Sequence, residues 1–296
     1  MGSEYSALWN PAAPARGHFP EWSRRLPGTE SVAVPSHRRR GTRGFAIRGE
    51  IRVATGIFIT GTDTGVGKTV VTAALTKVFN DGGISTVPCK PIQTGAAKVK
   101  GDWYREDVAV YRQFVSLPWT DAELCPLCYE HPLAPAQAAE LEERPVDLAE
   151  VHRAYRQLAK RHPLVLVEGA GGLAVPVSGP EFTMADLALQ LQIPAIIVAR
   201  AGSGTINHTV LTVRYAQEKG LPVLGIIFNE VSETPSLAEA TSPAVIARMT
   251  GLPILACLRR IDGSIELAEN RESLCRELAE QMNLLKLMKE AKQWQR

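Results

Sequence analysis

The sequence has no apolar run of membrane-spanning length and little cysteine. The longest apolar runs, near 195–199 and 223–228, have the length of β-strands, which predicts a soluble protein. Five cysteines, an odd number, predict a reducing compartment, here the cytoplasm. Cys125 and Cys128 have the spacing of a metal or redox pair, but a structural zinc site needs four ligands and no second cysteine pair exists. We therefore interpret both as ordinary loop thiols.

Lysine is absent from residues 1–52, which carry nine arginines against four glutamates, whereas the rest of the chain has a formal charge of −3. This segment has no sustained hydrophobic periodicity and contains an Arg38–Arg40 run. We predict a basic, disordered extension over 1–52 and one folded domain over 53–296. Three alternatives exist for the extension: a nucleic-acid-binding arm, a transit peptide, or a translation start assigned too far upstream. The four acidic residues weigh against a transit peptide.

Beyond residue 51, short apolar runs alternate with helical patterns, and no internal repeat or second domain is evident. This alternation predicts an α/β fold, a mostly parallel sheet with helices on both faces. The predicted strands are 57–60, 86–90, 164–168, 195–199, 223–228 and 254–258. The predicted helices are 68–80, 106–115, 148–160, 184–190, 205–219, 243–250 and 273–289. The carboxyl ends of parallel strands meet at one edge, where ligands bind in such sheets.

A glycine-rich loop, Gly61-Thr-Asp-Thr-Gly-Val-Gly-Lys-Thr69, lies between the first strand and the first helix. Glycines allow backbone N–H groups to face a polyanion, and the helix N-terminus adds partial positive charge. Lys68 can reach the outer phosphates of a nucleotide, and the hydroxyl of Thr69 can hold Mg²⁺. Five residues separate Gly61 from Gly67 where the usual phosphate-binding loop has four. The carboxylate of Asp63, which would repel phosphates, is predicted to bond loop amides instead, and the alternative is that it acts through a proton on the substrate.

Lys90 ends the second predicted strand and is followed by Pro91, Ile92, Gln93, Thr94 and Gly95. A lysine at this edge can stabilise the charge that develops on a transferred phosphoryl group. The alternative is a solvent-exposed loop lysine.

Glu168 ends an apolar strand before the glycine turn Gly169-Ala-Gly-Gly172. A buried carboxylate is costly without a cation, which favours a Mg²⁺ ion shared with Thr69. Asp107, at the start of a helix, is the other candidate ligand, although an acidic residue in a first turn often only complements the helix dipole.

These motifs, together with Gly204-Thr-Ile-Asn-His208, resemble the dethiobiotin synthetase family over about residues 55–260. The resemblance implies a P-loop NTPase fold and a homodimer. It also implies an ATP- and Mg²⁺-dependent ligase that carboxylates 7,8-diaminopelargonate with CO₂. In that reaction a carbamate forms, ATP phosphorylates it, and ring closure yields dethiobiotin.

The resemblance also implies a role for each matched residue. The implied catalytic residues are Lys68 and Lys90, and the implied Mg²⁺ ligands are Thr69, Asp107 and Glu168. The implied ATP-binding residues are Gly65, Val66, Gly67, Lys68, Thr69, Val70, Asp107, Glu168, Gly169, Ala170, Gly171, Asn229 and Glu230. The implied substrate-binding residues are Thr64, Thr94, Gly204, Thr205, Ile206 and Asn207. Around Arg259 the chain departs from the family pattern, so no base contact is assigned there.

Two other functions are compatible with the phosphate-binding loop. An ATPase switch of the partitioning or septum-positioning type would carry a second lysine early in the loop, where this chain has Thr62 and Asp63. A related amide-forming ligase would bring a glutamine-hydrolysing domain with a nucleophilic cysteine, for which no room remains after residue 260. The ligase is therefore our first hypothesis and the switch our second.

Overall fold

A computed structural model describes residues 55–261 and 263–295. The prediction for residues 1–52 lies outside this part of the chain, and the 53–296 boundary stays a prediction. The strands are β1 Thr55–Gly61, β2 Thr86–Cys89, β3 Ile92–Thr94, β4 Ala97–Val99, β5 Asp102–Tyr104, β6 Leu127–Tyr129, β7 Leu164–Gly172, β8 Pro176–Ser178, β9 Phe182–Thr183, β10 Ala195–Arg200, β11 Val223–Val231 and β12 Ile254–Arg259. The helices are α1 Lys68–Asp81, α2 Glu106–Phe114, α3 Asp121–Leu124, α4 Pro135–Leu141, α5 Leu148–Arg161, α6 Met184–Gln190, α7 Thr205–Lys219, α8 Leu237–Thr250, α9 Ala268–Gln281 and α10 Leu284–Trp294.

Six strands form a parallel sheet in the order β12-β11-β10-β1-β7-β2. These six are the strands that the sequence predicts, so the α/β fold is confirmed. Every residue of β1 is buried, as expected for a central strand covered on both faces. Along β10, Ile196 and Val198 pack into the larger apolar core, and Ile197 and Ala199 pack into a smaller one. This alternation places a core on each face of the sheet.

The order of strands in the sheet changes direction at β1. From β1 the chain runs to β2 and β7 on one side and then to β10, β11 and β12 on the other. The loop after β1 therefore opens into the crevice where open α/β sheets bind ligands. Among the described residues, no helix is long and apolar enough to span a bilayer.

Two predicted helices were wrong in their extent. The helix predicted over 243–250 begins at Leu237, because Ser236 and Glu239 form a capping box and Pro243 lies inside the helix. The single helix predicted over 273–289 is two helices, α9 and α10. The break occurs because the Asn283 side chain accepts a hydrogen bond from the Lys286 amide and starts α10.

Three two-stranded sheets were not predicted: β3 with β6, β4 with β5, and β8 with β9. Strands of two or three residues are too short to show a period in the sequence. The β3–β6 pair matters for the site because it holds Thr94 opposite Tyr129.

Candidate active site

The phosphate-binding loop connects β1 to α1 through two glycines with left-handed backbones, and the second, Gly67, immediately precedes the helix. Gly67 has φ 87°, a conformation that L-residues rarely adopt. A Cβ atom at this position would also lie 2.0 Å from Nδ2 of Asn229. Both the backbone angle and the close approach of Asn229 therefore require glycine.

Lys68 is the first residue of α1 and is only 7% exposed. Its Nζ donates a hydrogen bond of 2.9 Å to the backbone oxygen of Asp63, so the ammonium group folds back over the loop. Burial, reinforced by the nearby ammonium of Lys90, lowers the pKa of Lys68 to about 8. The carboxylate of Asp63 accepts a hydrogen bond from the Thr64 amide, which confirms its predicted structural role in the loop.

The three predicted metal ligands are brought together beneath the loop. Oγ1 of Thr69 lies 2.9 Å from Oδ1 of Asp107 and 2.8 Å from Oε1 of Glu168. Within the described residues, no group of three or more histidine, cysteine or acidic side chains could hold a metal ion. Two carboxylates and a hydroxyl nevertheless fit Mg²⁺, which usually takes one or two carboxylates and completes its octahedron with phosphate oxygens and water. The donor set therefore fits Mg²⁺ bound with a nucleotide.

Lys90 is not the exposed loop lysine that the sequence left as an alternative. Its side chain is buried, and Nζ lies 2.8 Å from both Oδ2 of Asp107 and Oε1 of Glu168. A weaker contact of 3.4 Å joins the same atom to the backbone oxygen of Gly169. Burial alone would lower the pKa of Lys90, but Glu168 and Asp107 outweigh burial and raise it above its ordinary value.

Asp107 shows the reciprocal effect. Burial alone would raise the pKa of its carboxyl group, but Lys90, followed by Thr69 and Lys68, holds that pKa below its usual value. The opposite shifts keep both members of the Lys90–Asp107 pair charged. Lys90 and Asp107 thus form, with Glu168, a buried charge cluster directly beside Thr69.

Tyr111 is a member of this cluster that the sequence analysis missed. Its hydroxyl donates a hydrogen bond of 2.5 Å to Oε2 of Glu168, and the whole side chain is buried. Burial, followed by the charges of Glu168 and Asp107, raises the pKa of Tyr111 well above its ordinary value, so the phenol is neutral. The available signal was the spacing of Asp107 and Tyr111, four residues apart on one helix, which places both on one face.

Asn229 contacts the phosphate-binding loop directly. Its Nδ2 donates a hydrogen bond of 3.1 Å to the backbone oxygen of Val66. The prediction that β11 ends at residue 228 was wrong, since the strand continues to Val231 and includes Asn229. The next residue, Glu230, has a positive φ of 58°, which is uncommon for a residue with a side chain.

Arg200, at the end of β10, was also missed by the sequence analysis. Its Nη2 donates a hydrogen bond of 3.2 Å to the backbone oxygen of Gly65, and its Nε lies 3.7 Å from Oε2 of Glu230. The side chain is exposed. A single arginine at a strand end carries no motif, so nothing in the sequence distinguished it.

The glycine turn predicted after Glu168 was also wrong, because β7 continues through Gly172 and pairs with Gly61. Within this strand Gly171 still has a left-handed backbone with φ 68°, and Gly169 lies close to a neighbouring aromatic ring. A Cβ atom on Gly169 would lie 2.8 Å from the ring of Phe58. Ala170 and Gly171 follow in the same strand, and a Cβ on Gly171 would lie 3.8 Å from Oγ1 of Thr64.

The remaining predicted residues lie on elements that leave the same sheet edge. Val70 is part of α1, and Thr94 ends β3 just after Lys90. Gly204 is the N-cap of α7 with φ 85°, and the predicted residues 205–207 form the first turn of that helix. In this turn the side chain of Thr205 is buried near Thr209, that of Ile206 is partly buried, and that of Asn207 is exposed.

The prediction of two loop thiols is confirmed for Cys125, which follows α3, and is wrong for Cys128. Both are buried, Cys128 lies in β6, and their sulfur atoms are 3.8 Å apart. The strand formed because Leu127 and its neighbours pair with the segment after Lys90, which no periodicity in the sequence indicated.

Comparison with known proteins gives a consistent result. The model of a family described as AAA domain matches residues 55–266. The ATP-dependent dethiobiotin synthetase BioD of Bacillus licheniformis is 40% identical over 207 residues, which are 70% of this chain and 86% of that protein. The protein of the same name from Anaeromyxobacter sp. strain Fw109-5 is 43% identical over 226 residues, 76% of this chain and 97% of the relative.

Solved structures are more distant. The septum site-determining protein MinD of Pyrococcus horikoshii, complexed with Mg-ADP, matches with 18% identity and a TM-score of 0.43, covering 82% of this chain and 92% of that one. At this score the similarity has no bearing on function.

Proposed function

The chain is an AAA-domain protein of the ATP-dependent dethiobiotin synthetase family, and from this premise we propose how its own residues carry out the reaction. It is a ligase of biotin biosynthesis that uses ATP as co-substrate. We propose 7,8-diaminopelargonate and CO₂ as the other substrates, and dethiobiotin, ADP and phosphate as the products. The observation that carries the proposal is the convergence of Lys68, Lys90, Thr69, Asp107 and Glu168 at the phosphate-binding loop.

The proposed reaction has three steps. One amine of the substrate attacks the carbon of CO₂ and loses a proton, which gives a carbamate. A carbamate oxygen then attacks the γ-phosphorus of ATP and expels ADP, which gives a carbamic-phosphoric anhydride. The second amine attacks the anhydride carbonyl, releases phosphate and a proton, and closes the cyclic urea.

Residues Gly65–Val70 are proposed to hold the nucleotide phosphates through their backbone N–H groups. Lys68, whose ammonium now bonds the loop carbonyl of Asp63, would exchange that contact for a phosphate oxygen. Thr69, Asp107 and Glu168 would hold Mg²⁺, which neutralises phosphate charge when bound. Asn229 and Glu230 are proposed to face the base, and Gly169, Ala170 and Gly171 to line the nucleotide and substrate.

Lys90 is proposed to stabilise the carbamate oxygen and the phosphoryl group in the second step. Its ion pairs with Asp107 and Glu168 keep it protonated, so that it acts as a fixed positive charge. A preorganised charge of this kind needs no reorganisation when the transition state forms.

The diamine is proposed to bind between Thr64, Thr94 and the first turn of α7. The Thr205 N–H already donates to the backbone oxygen of Gly202, so the N–H groups of Ile206 and Asn207 are proposed to donate to the substrate carboxylate, as helix N-termini do. We propose that this turn serves the site of a second subunit, which makes the enzyme a homodimer. We also propose that it works in the cytoplasm.

The direct test is to incubate the purified full chain with 7,8-diaminopelargonate, bicarbonate and MgATP. The expected result is diamine-dependent ADP release, with dethiobiotin detected by mass spectrometry. Omission of bicarbonate and omission of the diamine are the controls. ATP hydrolysis that ignores the diamine would contradict the ligase and favour the switch. The switch is disfavoured by the absence of a lysine at Thr62 or Asp63.

A further inference from the structure

Glu168 is nearly inaccessible, and each of its two carboxylate oxygens has separate partners. Oε1 lies 2.8 Å from Oγ1 of Thr69 and 2.8 Å from Nζ of Lys90. Oε2 accepts the hydroxyl of Tyr111 at 2.5 Å, and this is its only hydrogen bond to the described residues. The phenol therefore determines which oxygen is left to face the site.

Tyr111 and Asp107 are supplied by the same short helix. They are four residues apart in α2, so both side chains leave one face of the helix toward Glu168 and Lys90. Tyr111 is fully buried, whereas Asp107 is partly accessible. The helix thus places one carboxylate beside Thr69 and Lys90 and one neutral donor against Glu168.

We propose that Tyr111 is a positioning residue, which orients the carboxylate of Glu168 so that Oε1 faces the metal position and Lys90. The proposal rests on the proposed function, since it assumes that Glu168 takes part in Mg²⁺ binding. Phenylalanine would fill the space of Tyr111 but would leave a buried carboxylate oxygen without a donor. A buried charged acceptor that loses its donor is strongly destabilised, so the carboxylate would rotate toward its remaining partners.

The chain offers a matched control in Tyr129. Both tyrosines are fully buried, but the hydroxyl of Tyr129 has no hydrogen-bond partner among the described residues. Tyr129→Phe therefore removes a buried hydroxyl without removing a hydrogen bond, whereas Tyr111→Phe removes the bond to Glu168. Any difference between the two variants reports that bond.

The first experiment measures steady-state kinetics of Tyr111→Phe and Tyr129→Phe. For Tyr111→Phe we expect kcat to fall about 10-fold or more, the size of a lost hydrogen bond to a charged group. The KM for the diamine should stay within about 2-fold, since the phenol lies behind Glu168. Tyr129→Phe should keep the wild-type kcat. Equal kcat values for the two variants would overturn the proposal.

The second experiment measures nucleotide binding without turnover. A fluorescent ADP analogue is titrated into each protein with Mg²⁺ and with a chelator. Tyr111→Phe should lose most of the gain in affinity that Mg²⁺ confers on the wild type, and its affinity in chelator should be unchanged. A general structural defect would weaken both titrations alike, and that result would refute a positioning role. If Mg²⁺ does not increase the affinity of the wild type for the analogue, that result contradicts the proposed metal site instead.

A third measurement avoids dependence on the folding of Tyr111→Phe. 3-Fluorotyrosine placed at position 111 keeps the phenol and provides a ¹⁹F resonance beside Glu168. We expect this resonance to shift when Mg-ADP is added and to shift less with ADP in chelator. A resonance that ignores Mg-ADP, while the fluorescent analogue shows that Mg-ADP binds, would contradict the proposal.

Discussion

On each side of β1, a cation and a carboxylate lie in or directly after two neighbouring strands, but the two pairs are in different environments. Lys90 and Glu168, on the β2–β7 side, are 2.8 Å apart with side chains 7% and 1% exposed. Arg200 and Glu230, on the β10–β11 side, are 3.7 Å apart with side chains 54% and 39% exposed. The same types of charge at the same edge therefore differ mainly in their access to water.

Burial changes what each pair requires of its surroundings. A buried ion pair is stable only when further hydrogen bonds satisfy its remaining donors and acceptors, and here Thr69, Asp107 and Tyr111 supply them. An exposed pair is solvated and screened, so it needs no such partners. We therefore expect that removal of one partner reduces stability and activity strongly on the β2–β7 side and weakly on the β10–β11 side.

The largest expected effect is on stability. Lys90→Met should lower the free energy of unfolding by about 3–5 kcal/mol, because it leaves the buried Glu168 and the partly accessible Asp107 without their cation. Denaturant unfolding monitored by circular dichroism measures this change. The control is Lys77→Met, since Lys77 pairs with Asp81 on the surface of α1. Equal losses for the two variants would show that burial is not the property that distinguishes them.

The next effect is on turnover. Lys90→Ala should lower kcat by about 10²-fold or more, as expected for loss of a preorganised donor to a developing anion, and should leave ATP binding nearly intact. Dethiobiotin formation and the affinity for a fluorescent nucleotide are measured at a temperature where the variant remains folded. Turnover within a factor of about two of wild type would remove Lys90 from the proposed mechanism.

The sequence alone predicted the charged residues of the buried cluster but not its arrangement. The glycine loop and Lys90 lie at the ends of predicted strands, Glu168 is the last residue of another, and Asp107 lies at the start of a predicted helix. Their common edge therefore follows from parallel topology. The ion pairs of Lys90 with both carboxylates depend on side-chain packing across β2, β7 and α2, which no local pattern encodes.

Tyr111, the start of α8 and the short strands show further reasons why the sequence did not predict the whole structure. In the sequence, Tyr111 has the pattern of an apolar helix residue. Its role as a hydrogen-bond donor follows only from its contact with Glu168 in the folded protein. The capping box before α8 was readable as Ser236 and Glu239, but Pro243 gave a competing start signal. The short strands β3 and β6 have no periodic signal at all.

The β10–β11 side also has a buried polar residue, Asn229, which tests whether burial or charge matters. Asn229→Ala removes the hydrogen bond to the backbone oxygen of Val66 and should weaken ATP-analogue binding about 5- to 10-fold, the size of one such bond. Glu230→Ala should change that affinity less. Fluorescence titration of both variants measures the difference. A larger loss of affinity for Glu230→Ala would show that the charged residue, and not the buried one, contributes more to nucleotide binding.

The stability that Glu239 contributes on the β10–β11 side should depend on pH, because its carboxylate is held by hydrogen bonds and not by an ion pair. Hydrogen bonds from Ser232 and Ser236 lower the pKa of Glu239 to about 2. Because the folded pKa lies below that of the unfolded chain, the contribution of Glu239 to stability is complete above about pH 4.5 and decreases as the pH falls toward 2.

Glu239→Gln should therefore cost about 1 kcal/mol near pH 6, the usual size of a helix cap, and less near pH 3. Urea unfolding of wild type and variant at both pH values measures the difference. A loss of stability that is the same at pH 6 and pH 3 would show that the charge on Glu239 is not what the two serines stabilise.

The smallest effect is expected at Arg200. Arg200→Met should change the free energy of unfolding by less than about 1 kcal/mol, because its pair with Glu230 is solvated and its guanidinium group is half exposed. Nucleotide affinity should also stay within about 3-fold, since the hydrogen bond to Gly65 is made by an exposed donor that water can replace. Raising the salt concentration should affect variant and wild type alike. A loss of affinity above 10-fold that salt diminishes would instead place Arg200 among the phosphate-binding residues, and the two sides of β1 would then differ in burial but not in function.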